Sequence, residues 1–185
     1  MSKHRLLGMS GSLRKDATNR FLIRNAARLF GDAEFTEADL DLPLFNADDE
    51  DAQGAPDSVI RLAGQIAVAD AVIISTPEYN SMLSGVLKNA LDWVSRVKPL
   101  PWTDKPVAVM SAAAGRAGGV RAQSSLVLAM MPFQPRLITG PAVAVAGSRQ
   151  EFDEDGRLKS ERYEATLSKL MNNLRAEVDR GQVAR

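Results

Sequence analysis

The sequence predicts a doubly wound α/β fold: five parallel strands in the order 2-1-3-4-5, with helices on both faces. Three observations carry this. The run Ala71-Val72-Ile73-Ile74-Ser75 is apolar, β-branched and short, as strands buried on both faces are. Segments with apolar residues at helical spacing alternate with such runs along the chain. No internal repeat, low-complexity tract or linker divides the 185 residues, so 1–185 read as one domain with a substantial core.

The elements follow in order. Arg5-Leu6-Leu7 ends a first strand, and Gly8 to Arg20 forms a strand-to-helix loop. Phe21-Leu22-Ile23, Ala26-Ala27 and Leu29-Phe30 repeat as one helical face. Ala33 to Leu40 makes a second strand, ending at Asp41-Leu42-Pro43. Asn46 to Pro56 reads as a polar surface loop around the acidic run Asp48-Asp49-Glu50-Asp51. Asp57 or Ser58 then caps a helix that faces inward through Val59, Leu62, Ile66 and Ala69. After the central strand at 71–75, Pro77 to Ser81 leads to a helix with Leu83, Leu87, Ala90-Leu91 and Val94 inward, capped by Ser81 or Ser84. Pro106 to Ser111 is a further buried strand. Ala112 to Gly119 connects it to a helix that Pro132 stops. Arg136-Leu137-Ile138 and Ala142 to Val145 supply the last strand, broken at Gly140-Pro141. Asp155-Gly156 marks a turn. Ser160 caps a final helix whose inward face runs from Tyr163 to Val178, and the last few residues are expected to fray.

Five strands in this order make the sheet flavodoxin-like, and ligands then bind beyond the carboxyl ends of the strands, at the switch between the first and third. Three unusual loops converge there: Ser10–Asn19, Pro77–Asn80 and Ser111–Gly119.

Composition narrows the chemistry. Lys+Arg and Asp+Glu both total 23, which makes no electrostatic case for nucleic acid or an anionic membrane. With no cysteine there is no disulfide, thiolate nucleophile or iron–sulfur ligand set. One histidine, His4, cannot build a His-rich metal site, so no metal is expected. No signal peptide or membrane span is visible, which makes a cytoplasmic location the expectation.

The first loop is built to hold a phosphate. It joins a strand to a helix N-terminus, with its free N–H groups and positive dipole end. Ser10, Ser12 and Thr18 add hydroxyls, Asn19 an amide and Arg14 a forked cation. As a mere connector, it would use Thr18 as the helix cap. Neither G-x-x-x-x-G-K-[ST] nor G-x-G-x-x-G is present, although Asp39 and Asp41 stand where a ribose-binding acid would. In the second loop Pro77 stiffens the turn, Tyr79 gives a planar face and Asn80 an amide, a lining suited to a flat ring with heteroatoms on its rim. The third loop brings Gly115, Gly118 and Gly119 for close backbone approach, with Arg116 and Arg121 for an anionic group.

Gly11-Ser12-Leu13-Arg14-Lys15 with Thr18-Asn19, then Pro77-Glu78-Tyr79-Asn80 with Gly85-Val86-Leu87-Lys88-Asn89-Ala90-Leu91-Asp92-Trp93, resemble the NAD(P)H-dependent FMN reductase family, which includes bacterial quinone and chromate reductases. The resemblance implies that Ser10, Ser12, Arg14, Thr18 and Asn19 surround the FMN phosphate. It implies that Pro77, Glu78, Tyr79 and Asn80 line the isoalloxazine, and that Ser111, Ala112 and Gly115 close its far rim. Ala112-Ala113-Ala114 departs from relatives richer in glycine there. The implied reaction passes a hydride from NADH or NADPH through flavin N5 to quinones, ferric chelates, chromate, azo or nitro compounds, by ping-pong kinetics and with no catalytic side chain. A homodimer or homotetramer is implied, with Trp93 open to either core or interface burial. Two other readings remain at this point: a flavodoxin-like one-electron carrier, against which the neutral charge speaks, and a flavin-free binding module. Arg96, Arg116 and Arg121 are the candidates for a 2′-phosphate.

Overall fold

The computed structural model describes residues 3–183. The strands are β1 (His4–Ser10), β2 (Ala33–Glu37), β3 (Ala71–Thr76), β4 (Pro106–Ala112), β5 (Arg136–Ile138) and β6 (Ala144–Val145). The helices are α1 (Thr18–Phe30), α2 (Ala47–Gln53), α3 (Asp57–Val68), α4 (Gly85–Arg96), α5 (Val120–Met130) and α6 (Glu161–Val183). The sheet runs β2-β1-β3-β4-β5 and its strands pair in parallel, which is the expected flavodoxin-like order.

Side chains alternate across each strand, so one strand feeds two cores. Leu7, Met9, Val72, Ile74, Val107 and Val109 meet Leu62, Ile66, Leu87, Leu91 and Leu126 from α3, α4 and α5. Leu6, Ile73, Ala108 and Met110 meet Leu22, Ile23, Leu167, Leu170 and Leu174 from α1 and α6. β3 and β4 are buried along their whole length, hence their unbroken apolar sequence. Burying one such Ile or Leu contributes about 1.5–3 kcal/mol, so a charge at Ile73 would disrupt the layer with α1 and α6, and one at Val109 the layer with α3, α4 and α5. Trp93 belongs to the core: it is 2% exposed and its Nε1–H donates to the Pro43 carbonyl at 2.8 Å.

Three local readings need correction. β1 continues to Ser10, so Gly8 is a strand residue and not a loop glycine. A Cβ at Gly8 would stand 2.7 Å from the Phe35 ring, so the glycine makes room for β2 packing. The acidic run forms helix α2, because Asn46 accepts a hydrogen bond from the Asp48 N–H and the acids sit at the positive end of the helix dipole. α1 starts at Thr18 with Ala17 as its N-cap, so Thr18 does not cap it. The last strand is broken where expected: β5 pairs with Pro106–Ala108 and β6 with Ser111–Ala112. Pro141, which lacks an N–H, and Gly140 occupy the gap. Of the smaller points, Ser84 and not Ser81 caps α4, and Ser160 sits before α6 with its Oγ accepting from the Tyr163 N–H. The fraying expected at the C-terminal end concerns residues 184–185, which lie outside the described residues.

Candidate active site

The parallel strands end level with one another. Ser10 lies opposite Ser75, and Thr76 opposite Ser111. The three following loops therefore stand side by side and wall a cleft of about 740 Å³.

The first loop leaves donors free. Ala17 has no side chain with which to cap α1, and Thr18 turns its Oγ1 to Ser148 Oγ at 3.1 Å instead. The N–H groups of Thr18 and Asn19 thus have no partner among the described residues. Arg14 is exposed and its guanidinium forms no ion pair among them either, while its N–H donates to Ser12 Oγ. Asn19 does something else. It is 3% exposed; its Oδ1 accepts from Ser75 Oγ at 2.7 Å and the Ala112 N–H at 3.0 Å, and its Nδ2 donates to the Ala112 carbonyl at 3.0 Å. One side chain on α1 thereby ties the ends of β3 and β4 together.

The second loop makes a sharp turn. Tyr79 and Met82 exchange backbone hydrogen bonds, with Asn80 and Ser81 both left-handed at φ 50° and 66°. That is the pattern of a primed two-residue turn, which asparagine tolerates well. It leaves the Tyr79 side chain exposed beside Pro77. Glu78 turns toward α5. Its carboxylate accepts from Arg121 Nη2 at 2.8 Å and Nε at 3.0 Å, and from the Arg121 and Ala122 N–H groups. The Arg121 hydrogen bonds hold the Glu78 carboxyl below the usual carboxylate range, against the opposing effect of burial.

A depressed carboxyl stabilises the fold at pH above its unfolded value, and that stability is lost as pH falls through the folded value. Glu78→Gln is therefore expected to lower the melting temperature by about 2 °C at neutral pH. The gap to wild type should close in acid; a gap that stays constant from neutral pH into the acid limb would contradict this account.

The third loop rests on β6. Gly118 sits at φ 62°, and a Cβ there would collide with the Ala144 carbonyl. Ser111 Oγ donates to the Gly118 carbonyl at 2.6 Å and accepts from Gln123 Nε2 at 2.8 Å.

Of the residues expected at the site, Ser12, Arg14, Thr18, Asn19, Pro77, Glu78, Tyr79, Ala112 and Gly115 line the cleft. Ser10, Asn80 and Ser111 do not. Ser10 is buried and donates to the Ser12 carbonyl, Asn80 is at the turn's tip, and Ser111 is fully buried behind the third loop. Of the three arginines considered for a 2′-phosphate, Arg96 pairs with Glu50 and Arg121 with Glu78, while Arg116 lines the cleft with no ion pair among the described residues. Asp39 and Asp41 are not part of its walls, and Asp39 accepts from the Asp41 N–H. A fourth wall was not anticipated: Ser148, Arg149, Phe152 and Asp153, from the stretch after β6. The signal was present in Gly147-Ser148-Arg149, a small–hydroxyl–cation triplet following a strand, as in the first loop.

A family model described as NADPH-dependent FMN reductase matches residues 4–150. The chain belongs to that family and is an oxidoreductase that works with FMN and NAD(P)H. The one-electron-carrier and flavin-free readings give way to it. Among relatives, an NAD(P)H-dependent FMN reductase of Pseudomonas aeruginosa is 36% identical over 178 residues, covering 95% of this chain and 96% of that one. A quinone reductase of Escherichia coli is 38% identical over 127 residues, covering 67% of this chain and 68% of its own length. Among solved structures, the flavoenzyme FerB of Paracoccus denitrificans, an NAD(P)H:(acceptor) oxidoreductase, superposes with a TM-score of 0.82 at 31% identity, covering 96% of this chain and 98% of that one.

Proposed function

We propose that the chain is an NAD(P)H:acceptor reductase whose single domain, 1–185, holds FMN in the cleft beyond β1, β3 and β4. The observation that carries this is the pairing of an uncapped α1 N-terminus and a free Arg14 at one end with Pro77, Tyr79 and Ala112–Ala114 at the other. That donor set suits a phosphate, and the apolar walls suit a flat ring. The volume also lies in the range of small-molecule sites. FMN held there would supply the hydride chemistry between NAD(P)H and the acceptors this reading assigns, which are quinones, ferric chelates, chromate, azo or nitro compounds.

The residues assigned to it are Ser12, Arg14, Thr18 and Asn19 about the phosphate, with Pro77, Glu78, Tyr79, Ala112 and Gly115 about the ring; Ser10, Asn80 and Ser111 act through the loops they shape. Glu78 works by fixing the second loop against α5, and Asn19 by holding the strand ends level. The open side of the cleft serves NAD(P)H and acceptor in turn, which gives ping-pong kinetics.

The reading extends to a cytoplasmic homodimer or homotetramer. Exposed Tyr79, Met82, Leu128 and Met131 support association. No helix among the described residues is long and apolar enough to cross a membrane.

Anaerobic stopped-flow mixing of the FMN-loaded protein with NADH or NADPH is expected to bleach the flavin, and a quinone added afterwards to restore it. Steady-state plots at several acceptor concentrations should be parallel, and light scattering should give at least a dimer. Flavin that neither nucleotide reduces would end the proposal; intersecting plots would end its ping-pong part.

A further inference from the structure

The stretch between β6 and α6 enters the cleft without any role in the reading above, and its geometry is specific. Ser148 is 3% exposed. Its hydroxyl accepts from Thr18 Oγ1 at 3.1 Å, and its N–H donates to the Ala113 carbonyl at 3.1 Å. The backbone at 148 is thereby pinned between the first residue of α1 and the third loop. Gly147, left-handed at φ 55°, turns the chain into the short 3₁₀ turn Ser148–Gln150. Arg149 follows immediately, lines the same cleft, is exposed and holds no partner among the described residues.

The charge around Thr18 makes that cation consequential. Of the first loop's charged residues, Arg14 and Asp16 line the cleft, Asp16 pairing with nothing among the described residues, while Lys15 between them is exposed and lies outside the walls. Within the walls the first loop's side chains therefore carry no net charge, so a further cation there adds directly to what the α1 N-terminus offers a dianion. Asp153, the other acid in these walls, is engaged by the Asp155 and Arg157 N–H groups at 3.0 and 2.8 Å. Among the cleft's lining cations with no ion pair among the described residues, Arg149 departs beside the α1 N-terminus through Ser148, whereas Arg116 belongs to the third loop.

We propose that Arg149 is a second guanidinium ligand of the phosphate that Arg14 and the α1 N-terminus hold, so that the site selects the phosphorylated flavin over riboflavin. This rests on the FMN reading of the cleft.

The test is fluorescence titration of the flavin-free chain, wild type and Arg149→Gln, with FMN and with riboflavin. Riboflavin lacks the phosphate and serves as the internal control. A charge-assisted hydrogen bond corresponds to about a tenfold or greater change in affinity. Arg149→Gln is expected to weaken FMN binding by about that factor, leaving riboflavin within about twofold, and Arg149→Lys to recover part of the loss. An unchanged melting temperature for Arg149→Gln will show that the exposed side chain has no structural role. Equal loss for both flavins, no loss for either, or a raised KM for NADPH alone would overturn the assignment of Arg149 while leaving the FMN reading intact. A wild-type chain that binds neither flavin would overturn that reading, and this assignment with it.

Discussion

Arg14→Ala is expected to weaken FMN binding by about tenfold or more. The side chain is exposed, forms no ion pair among the described residues and lines the cleft at the amino end of α1. Removing it leaves no buried group unsatisfied, so the fold should be untouched and the melting temperature of the flavin-free chain unchanged. The loss should therefore appear as cofactor release on dilution, measurable as free flavin fluorescence, with turnover recovered at saturating FMN. Arg14→Lys should recover only part of the affinity, because a point charge replaces the planar fork that matches two phosphate oxygens. A variant that keeps FMN as tightly as wild type would show that the phosphate lies elsewhere.

Asn19→Ala is expected to cost stability more than any other single change in the cleft. Its amide satisfies the Ser75 hydroxyl and both the N–H and C=O of Ala112, all buried. Leaving such groups unpaired costs about 1–3 kcal/mol each, less what water entering from the cleft restores. A net loss of about 3 kcal/mol would lower the melting temperature of a chain this size by about 6–12 °C. Flavin affinity should fall as well, since the loops after β3 and β4 lose their shared anchor. Asn19→Asp should be no milder: it keeps the two acceptors, loses the donor and buries a charge. Thermal unfolding by circular dichroism checks both variants. A shift under about 2 °C for Asn19→Ala would mean that the bridge is dispensable.

The sheet order was legible because alternation of strands and helices, with β3 and β4 apolar throughout, leaves few parallel topologies. The position of the cleft followed from that order alone. What escaped notice has common physical causes. Ser148 and Arg149 lie far along the chain from Thr18, and only the fold brings them together. Ser10 reads as a donor to a ligand, and Ser111 by resemblance as part of the ring's rim, because a hydroxyl in a sequence does not reveal whether it faces a cleft or a neighbouring carbonyl. Glu78 could be placed by motif, but not its partner across the cleft in α5. The acidic run of α2 reads as a surface loop because a block of like charges resembles a solvated connector, whereas in the first turn of a helix the same carboxylates are favoured.

The engagement of Glu78 with α5 has an effect on polarity. Two helices follow small-residue loops at this rim, and a solvent anion would in principle be drawn to either. The chain's own carboxylate already neutralises one of them. Of these two, α1 is the one whose first N–H groups have no partner among the described residues, so the FMN reading expects a molecule with one charged tail and one flat head to lie with its tail toward α1. On that reading, polarity at the rim orients the guest before any contact with its head is made.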